Sequence, residues 1–120
     1  MVESRRQPGD YDLEERTFAF AHQVRKMVKE LPGSTANRED ARQLIRASGS
    51  VGANYLEANN SLSKKDFRMR IRICLKEAKE SGYWLRLLQA EGRTSSLRVR
   101  LIQESTELVK IFSTIYQRSQ

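Results

Sequence analysis

The chain has 120 residues, of which 38% are hydrophobic and 31% charged, and its formal net charge is +7 at pH 7. This length suits one domain, the composition is too apolar for a disordered chain, and no apolar run approaches the roughly 20 residues that cross a bilayer. Residues 1–60 carry equal numbers of basic and acidic side chains, so the whole positive charge arises in residues 61–120. Such asymmetry suggests an anionic partner, most often nucleic acid, although a solvated helix surface would have the same composition.

The N-terminal segment is polar and contains Pro8 and Gly9. It predicts a flexible leader, residues 1–11, ahead of a single domain, residues 12–118. No apolar stretch in it indicates a secretory signal. The one cysteine, Cys74, excludes an intramolecular disulfide and falls on the apolar side of its helix, so we expect a packed thiol in a cytoplasmic protein.

The first two helices are marked by apolar residues at alternating spacings of three and four. The first starts near Asp12 and is ended by Pro32 and Gly33. The second follows a polar link that extends through Asn37. The predicted core positions are Leu13, Thr17, Phe20, Val24, Met27 and Leu31 in the first helix and Leu44, Ser48, Val51, Tyr55, Ala58 and Leu62 in the second.

Small residues cluster within the second helix, at Ser48, Gly49, Gly52 and Ala53. Neither a G-K-[ST] nor a G-x-G-x-x-G pattern surrounds them, so no phosphate-binding loop is indicated. Small side chains one helical turn apart remove bulk from the helix surface. We therefore interpret these residues as the place where a neighbouring helix approaches closely.

The third helix opens at Ser63, with Asp66 three residues on as in a capping box, and extends to about Ala90. The fourth begins after Ser95 or Ser96, and no segment shows the alternation of a strand. Four helices of about 20 residues with short connections predict an all-α fold, an antiparallel up-down-up-down four-helix bundle. The core positions of the last two helices are Phe67, Ile71, Cys74, Ala78, Ser81 and Leu85, then Leu97, Leu101, Ser105, Leu108, Phe112 and Ile115.

Basic residues concentrate on one side of the third helix. In a helical projection, seven of the eight between Ser63 and Arg86 fall within about 120°, and Tyr83 shares that side, where it could stack on an unpaired base. Three arginines also recur every fourth residue on the second helix. Whether the two sets face each other, and whether they contact phosphates, solvent or a neighbouring subunit, stays open. The candidate nucleic-acid contacts are Lys64, Lys65, Arg68, Arg72, Lys76 and Lys79 on the third helix and Arg38, Arg42 and Arg46 on the second.

A second apolar strip on the third helix suggests self-association. It lies away from the core and on the side opposite the cations, while Phe18 points away from the core of the first helix. The alternatives are a wide core that covers the strip, or scattered surface apolar residues. The candidate interface residues are Phe18, Met69, Ile73, Trp84 and Leu87.

Residues that could carry catalysis are few. His22 is the only histidine and faces outward, and no Glu-x-x-His pair occurs, so neither a di-iron nor a structural zinc site is expected. Glu57 and Glu77 are either paired carboxylates for acid–base chemistry or, as we favour, partners of basic residues across helices or subunits. We expect no enzyme activity, no metal and no cofactor.

Three blocks of sequence resemble a known family. They are Ser50-Val51-Gly52-Ala53-Asn54-Tyr55-Leu56-Glu57-Ala58, then Ser63-Lys64-Lys65-Asp66-Phe67, then Lys76-Glu77-Ala78-Lys79-Glu80-Ser81 with Tyr83-Trp84-Leu85. Together, from about Asp12 to Glu91, they resemble the 23S ribosomal RNA intervening-sequence protein family of small bacterial four-helix bundles. The resemblance implies a ring-like homopentamer without an established enzymatic activity. It also implies packing or subunit contacts for Asn54, Glu57 and Glu77.

The sequence thus predicts a cytoplasmic, non-enzymatic homo-oligomer whose basic surface binds RNA or DNA through the phosphate backbone. Two alternatives involve no nucleic acid. One is a purely structural assembly in which the cations pair with acidic groups of neighbouring subunits. The other is an adaptor that docks a protein partner on the outer apolar strip.

Overall fold

The structure, a computed structural model, describes residues 8–120, with side chains from Leu13 onward. It contains four helices, and no strand occurs within residues 8–120. Helices that follow one another in the chain pack together, and the last closes against the first, which confirms the predicted antiparallel four-helix bundle. The helices are α1 (Pro8–Val28), α2 (Thr35–Asn59), α3 (Lys64–Leu87) and α4 (Arg93–Arg118).

The core is a single cluster to which every helix contributes. Within this cluster the ring of Tyr55 on α2 meets the ring of Phe112 on α4 edge-on, with centroids 5.7 Å apart. All the predicted core positions are buried except Leu62 and four that pack half-buried against the cluster. Those four are Leu31, Phe67, Leu97 and Ile115.

The start of α1 differs from the prediction. The helix begins at Pro8, four residues before the predicted start near Asp12. Proline is favoured at the first position of a helix, because its missing N–H is not needed there and its φ already suits the helix. The predicted leader, residues 1–11, therefore loses its last residues to α1, and residues 1–7 lie outside the described part of the chain.

The connection between α2 and α3 shows one confirmed and one wrong prediction. Ser63 caps α3, since its Oγ accepts a hydrogen bond from the N–H of Asp66 at 3.1 Å. Leu62 is a predicted core position, but it is 101% exposed because α2 ends at Asn59 and leaves it in the turn. At its other end α3 stops at Leu87, earlier than predicted.

The fourth helix also starts earlier than predicted. It begins at Arg93 and not after Ser95 or Ser96. The hydroxyl of Thr94 accepts from the N–H of Glu91 at 3.0 Å and donates to the Glu91 carbonyl at 2.7 Å. This local pairing satisfies the backbone at the turn, so the helix can begin before the serines.

Asn37 lies inside α2 and not in the link to which the sequence assigned it. Its side chain is buried, donates to the carbonyls of Pro32 at 3.0 Å and Gln89 at 2.9 Å, and accepts from the Gln89 N–H at 3.0 Å. One amide therefore ties the connection between α1 and α2 to the segment between α3 and α4.

Close helix approach is confirmed at Gly52. A methyl group at this position would lie 3.0 Å from the Thr17 hydroxyl oxygen, so α1 can sit against α2 only where the side chain is absent. A second approach, which the sequence did not predict, occurs at Gly82, where a methyl group would lie 2.9 Å from Ser105 Oγ. The two glycines thus allow α1 to reach α2 and α4 to reach α3.

The single thiol belongs to the core. Cys74 is fully buried, and its Sγ donates to the carbonyl of Val51 at 3.4 Å. Burial raises its pKa to about 12, so the group stays protonated. This confirms the prediction of a packed rather than a reactive thiol.

Candidate nucleic-acid interface

One line of exposed side chains runs along α3 on the side away from the core. Its members are spaced three or four residues apart, which places them on one face of a helix, and every one of them is exposed. Four are cations and three are apolar or aromatic. The line consists of Lys65, Met69, Arg72, Lys76, Lys79, Tyr83 and Leu87, and we refer to it as the outer face of α3.

The four cations of the outer face are nearly free of internal partners. Within the part of the chain that the structure describes, no hydrogen bond or ion pair engages Lys65, Arg72 or Lys79. The ammonium of Lys76 lies 4.0 Å from a carboxylate oxygen of Glu80, the limit of an ion pair, and remains largely exposed. At 1.5 Å per residue, the four charges span about 21 Å of helix and face solvent.

Two other predicted contacts on α3 are used within the molecule. Lys64 donates through its ammonium to the backbone carbonyl of Gln120. The guanidinium of Arg68 lies over the ring of Tyr116, 4.1 Å from its centroid, and its Nε is buried. Both side chains hold the C-terminal part of α4 against the start of α3, so they are less available to a ligand.

The arginines of α2 do not extend the outer face of α3. Arg46 is the one that reaches α3, and there it meets carboxylates, Glu77 at 3.7 Å and Glu80 at 3.4 Å. Arg42 pairs with a glutamate in its own helix at 3.7 Å, and Arg38 donates to the Thr35 hydroxyl at 3.2 Å. Acidic groups therefore separate the two predicted sets of cations where the helices meet.

The ion pair with Arg46 shows what Glu77 contacts. This carboxylate is buried, and its ion pair crosses from α3 to α2, as the favoured interpretation required. Glu57, the other carboxylate considered for acid–base chemistry, is exposed on α2. Asn54 accepts a hydrogen bond from Arg70 of α3 at 3.0 Å, so it contributes to helix packing.

The predicted apolar strip on α3 is not one surface. Trp84 and Ile73 are half-buried, and Trp84 packs against the core. Met69 and Leu87 are 48% and 46% exposed and lie on the outer face among the cations, not on the opposite side from them. The predicted separation of apolar residues from cations is wrong because Met69 and Leu87 lie beside the cations on the same solvent-facing side of the helix.

A separate apolar surface lies between α1 and α2. Phe18 is 67% exposed, and its ring stacks on the imidazole of His22, with centroids 5.8 Å apart. Beside it is a groove of about 430 Å³, bordered on α2 by the 47% exposed Leu56. Phe18 was predicted to be exposed, but the groove was not predicted. Gly49 and Gly52, which line it, were the sequence signal that could have indicated it.

The described residues provide no further candidate site of two other kinds, a metal centre and a membrane-spanning helix. No three histidine, cysteine, aspartate or glutamate side chains among them come together as a metal ion would require. None of the helices that they form is long and apolar enough to cross a membrane.

The four-helix fold and the cations on the outer face of α3 define a small, basic four-helix-bundle protein. The model of the 23S rRNA-intervening sequence protein family matches residues 9–114, and the chain belongs to this family. The match extends well into α4, beyond the residues that carried the resemblance in the sequence.

A solved structure is similar to the whole domain. It is the crystal structure of a protein of unknown function from the S23 ribosomal protein family of Bacteroides thetaiotaomicron. The two are 29% identical and superpose with a TM-score of 0.75 over 90% of this chain and 97% of that chain. No curated protein matches the chain. Neither description names an enzymatic activity.

Proposed function

We propose that this protein is a non-enzymatic homo-oligomer that binds nucleic acid through the phosphate backbone, using the outer face of α3. The observation that carries the proposal is the run of four exposed cations, Lys65, Arg72, Lys76 and Lys79, which the described residues leave nearly unneutralised. Phosphate contacts require cations at suitable spacing and no group that distinguishes bases. Binding is therefore expected to depend little on sequence.

The salt dependence of binding tests this proposal directly. Anisotropy of labelled RNA and DNA, single- and double-stranded, is measured from about 50 to 200 mM salt. In a plot of log affinity against log salt concentration, four phosphate contacts predict a slope of about −3 for single strands and about −3.6 for duplex DNA. A peptide nucleic acid of the same sequence, which lacks phosphates, is the control and should not bind. No binding at low salt would contradict the proposal.

The apolar groove between α1 and α2 supports the oligomeric part of the proposal. An aromatic ring as exposed as Phe18, beside a groove with an apolar lining, is unusual for a surface that faces only water. We propose that a neighbouring protomer covers it. The number of protomers we propose is five, as the family resemblance implies.

Replacement of Phe18 by aspartate is expected to shift the protein toward monomer, because a charge would have to be buried in the interface. Light scattering would give the mass of each species as a multiple of 13.9 kDa. Leu62→Asp is the matched control, since Leu62 is fully exposed outside the groove and should leave the mass unchanged. A monomeric wild type, or a Phe18→Asp variant of unchanged mass, would exclude this interface.

We place this function in the cytoplasm. The chain keeps its one cysteine as a buried, protonated thiol, which suits a reducing compartment where nucleic acids are also found.

A further inference from the structure

We propose that the outer face of α3 selects single-stranded over double-stranded nucleic acid, with bases against its apolar side chains and phosphates on its cations. This inference rests on the proposed function and specifies the class of ligand for the same surface. The side chains that carry it are Met69, which interrupts the cations along the helix, and Tyr83, which follows the last of them.

The order of side chains along the outer face is the first argument. From the start of α3 it places a cation, the apolar Met69, three cations and then Tyr83, all exposed. Met69 and Tyr83 are 48% and 55% exposed, so each offers an apolar surface within reach of the neighbouring positive charges. A single strand carries the same two kinds of group, since its bases are free to turn toward a protein while its phosphates remain charged.

A duplex would leave those apolar groups unused. Its bases are stacked inside, and it presents phosphates and sugars to a surface that lies against it. Base edges are reached through the major groove, which is about 12 Å wide and admits a single helix. Because α2 and α4 both pack against α3, only one face of α3 is available, and we expect it to lie along a duplex and not to enter the groove.

Two shallow depressions beside the outer face provide room for bases. One has a volume of about 780 Å³ and the other about 500 Å³. They share Met69, Arg72 and Tyr116, so they are continuous along the junction of α3 and α4. Ile73 and Leu75 add apolar surface to the larger one. Cations border both depressions, which places positive charge next to apolar surface.

The exposed ring of Tyr83 has one aromatic neighbour. Its ring meets that of Trp84 edge-on, with centroids 5.1 Å apart at 78°, and Trp84 packs against the core. A ring restrained by such a contact loses less freedom when a base stacks on it than a ring without a neighbour would lose. Such stacking accepts any base, in agreement with binding that does not depend on sequence.

Single substitutions at Tyr83 test the inference. Labelled 20-nucleotide RNA and DNA strands of mixed sequence are compared with the duplexes of the same sequence, at one low salt concentration. We expect wild-type protein to bind the single strand at least tenfold more tightly than the duplex. Tyr83→Ala should weaken single-strand binding about tenfold and leave duplex binding unchanged, whereas Tyr83→Phe should bind as wild type does. The RNA and DNA arms report whether the 2′-hydroxyl contributes.

Val99→Ala is the matched control, because Val99 is 48% exposed on α4, and Met69→Ala is a second variant of the proposed surface. Thermal melts establish that each variant is folded. Equal affinity for strand and duplex, or single-strand binding that neither Tyr83→Ala nor Met69→Ala changes, would overturn the inference. In that case salt-dependent binding would still support the proposed function. Absence of binding to every probe would overturn both.

Discussion

Replacing Arg72 and Lys79 together by glutamate is expected to lower the affinity for nucleic acid about 100-fold at low salt. Both side chains are exposed and without an internal partner among the described residues, so neither reversal breaks a contact within the bundle. A charge-assisted contact contributes about 1.5 kcal/mol, or a factor of ten, and the variant loses two of them. The slope of log affinity against log salt concentration should become shallower by about 1.5 to 2.

The double reversal of Arg38 and Arg42 is the control for this experiment. It changes the net charge by the same amount but lies on α2, where both side chains already have partners. We expect affinity to fall less than about threefold, through the long-range field alone. If the two double variants weaken binding equally, the positive charge of the whole protein drives association, and the outer face of α3 is not the site.

The same variants test the alternative role of the cations in assembly. If these cations pair with carboxylates of neighbouring subunits, reversal of Arg72 and Lys79 should reduce the mass measured by light scattering. Nucleic-acid binding would then be negligible in every variant, wild type included. Loss of binding at unchanged mass, in contrast, supports the proposed function.

The bundle could be predicted from the sequence because its core follows from a local rule. A spacing of three and four residues places side chains on one face of a helix whatever the neighbouring helices are. The capping of α3 by Ser63 is equally local, since the hydroxyl and the N–H it binds are three residues apart. The predicted starts of α1 and α4 were wrong because each segment contains two possible start signals. For α1 these are Pro8 and Asp12, and for α4 they are the turn at Thr94 and the serines that follow it.

The partners of charged side chains could not be predicted in this way. Lys64 meets Gln120 and Arg68 meets Tyr116, residues about 50 positions away in the sequence. Such contacts depend on how far each helix is rotated and shifted against its neighbour, which the periodicity leaves undetermined. A helical projection therefore located the basic side of α3. It could not distinguish the cations that face solvent from Lys64 and Arg68, which contact the C-terminal part of the chain.

Of the two close approaches between helices, only one could be predicted from the sequence. Gly52 stood in a cluster of small residues, so the contact with Thr17 could be expected somewhere along the second helix. Gly82 stands next to Ser81 among larger residues, and the pattern of the fourth helix predicts its partner Ser105 only as a core position. Only the register of α4 against α3 brings Gly82 and Ser105 together.

Replacement of Asn37 by alanine is expected to lower the free energy of unfolding by about 3 kcal/mol. Three hydrogen bonds disappear, and the N–H of Gln89 is left without its acceptor at a partly buried position. Each lost bond costs about 1 kcal/mol, and a stranded donor adds to that cost. For a domain of this size the melting temperature should fall by roughly 10 to 15 °C. Urea and thermal unfolding, followed by circular dichroism, measure both quantities.

Asn60→Ala is the matched control, because Asn60 is exposed at the end of α2 and its side chain donates only to the Leu56 carbonyl one turn back. It should change the free energy of unfolding by about 0.5 kcal/mol or less. Equal effects of the two substitutions would mean that the Asn37 amide does not fasten the two connections. Because Asn37 contacts the segment beyond the C-terminal end of α3 and none of the outer-face cations, folded Asn37→Ala protein should bind nucleic acid as wild type does. A loss of stability without a loss of affinity would thus separate what holds the bundle together from the surface that binds.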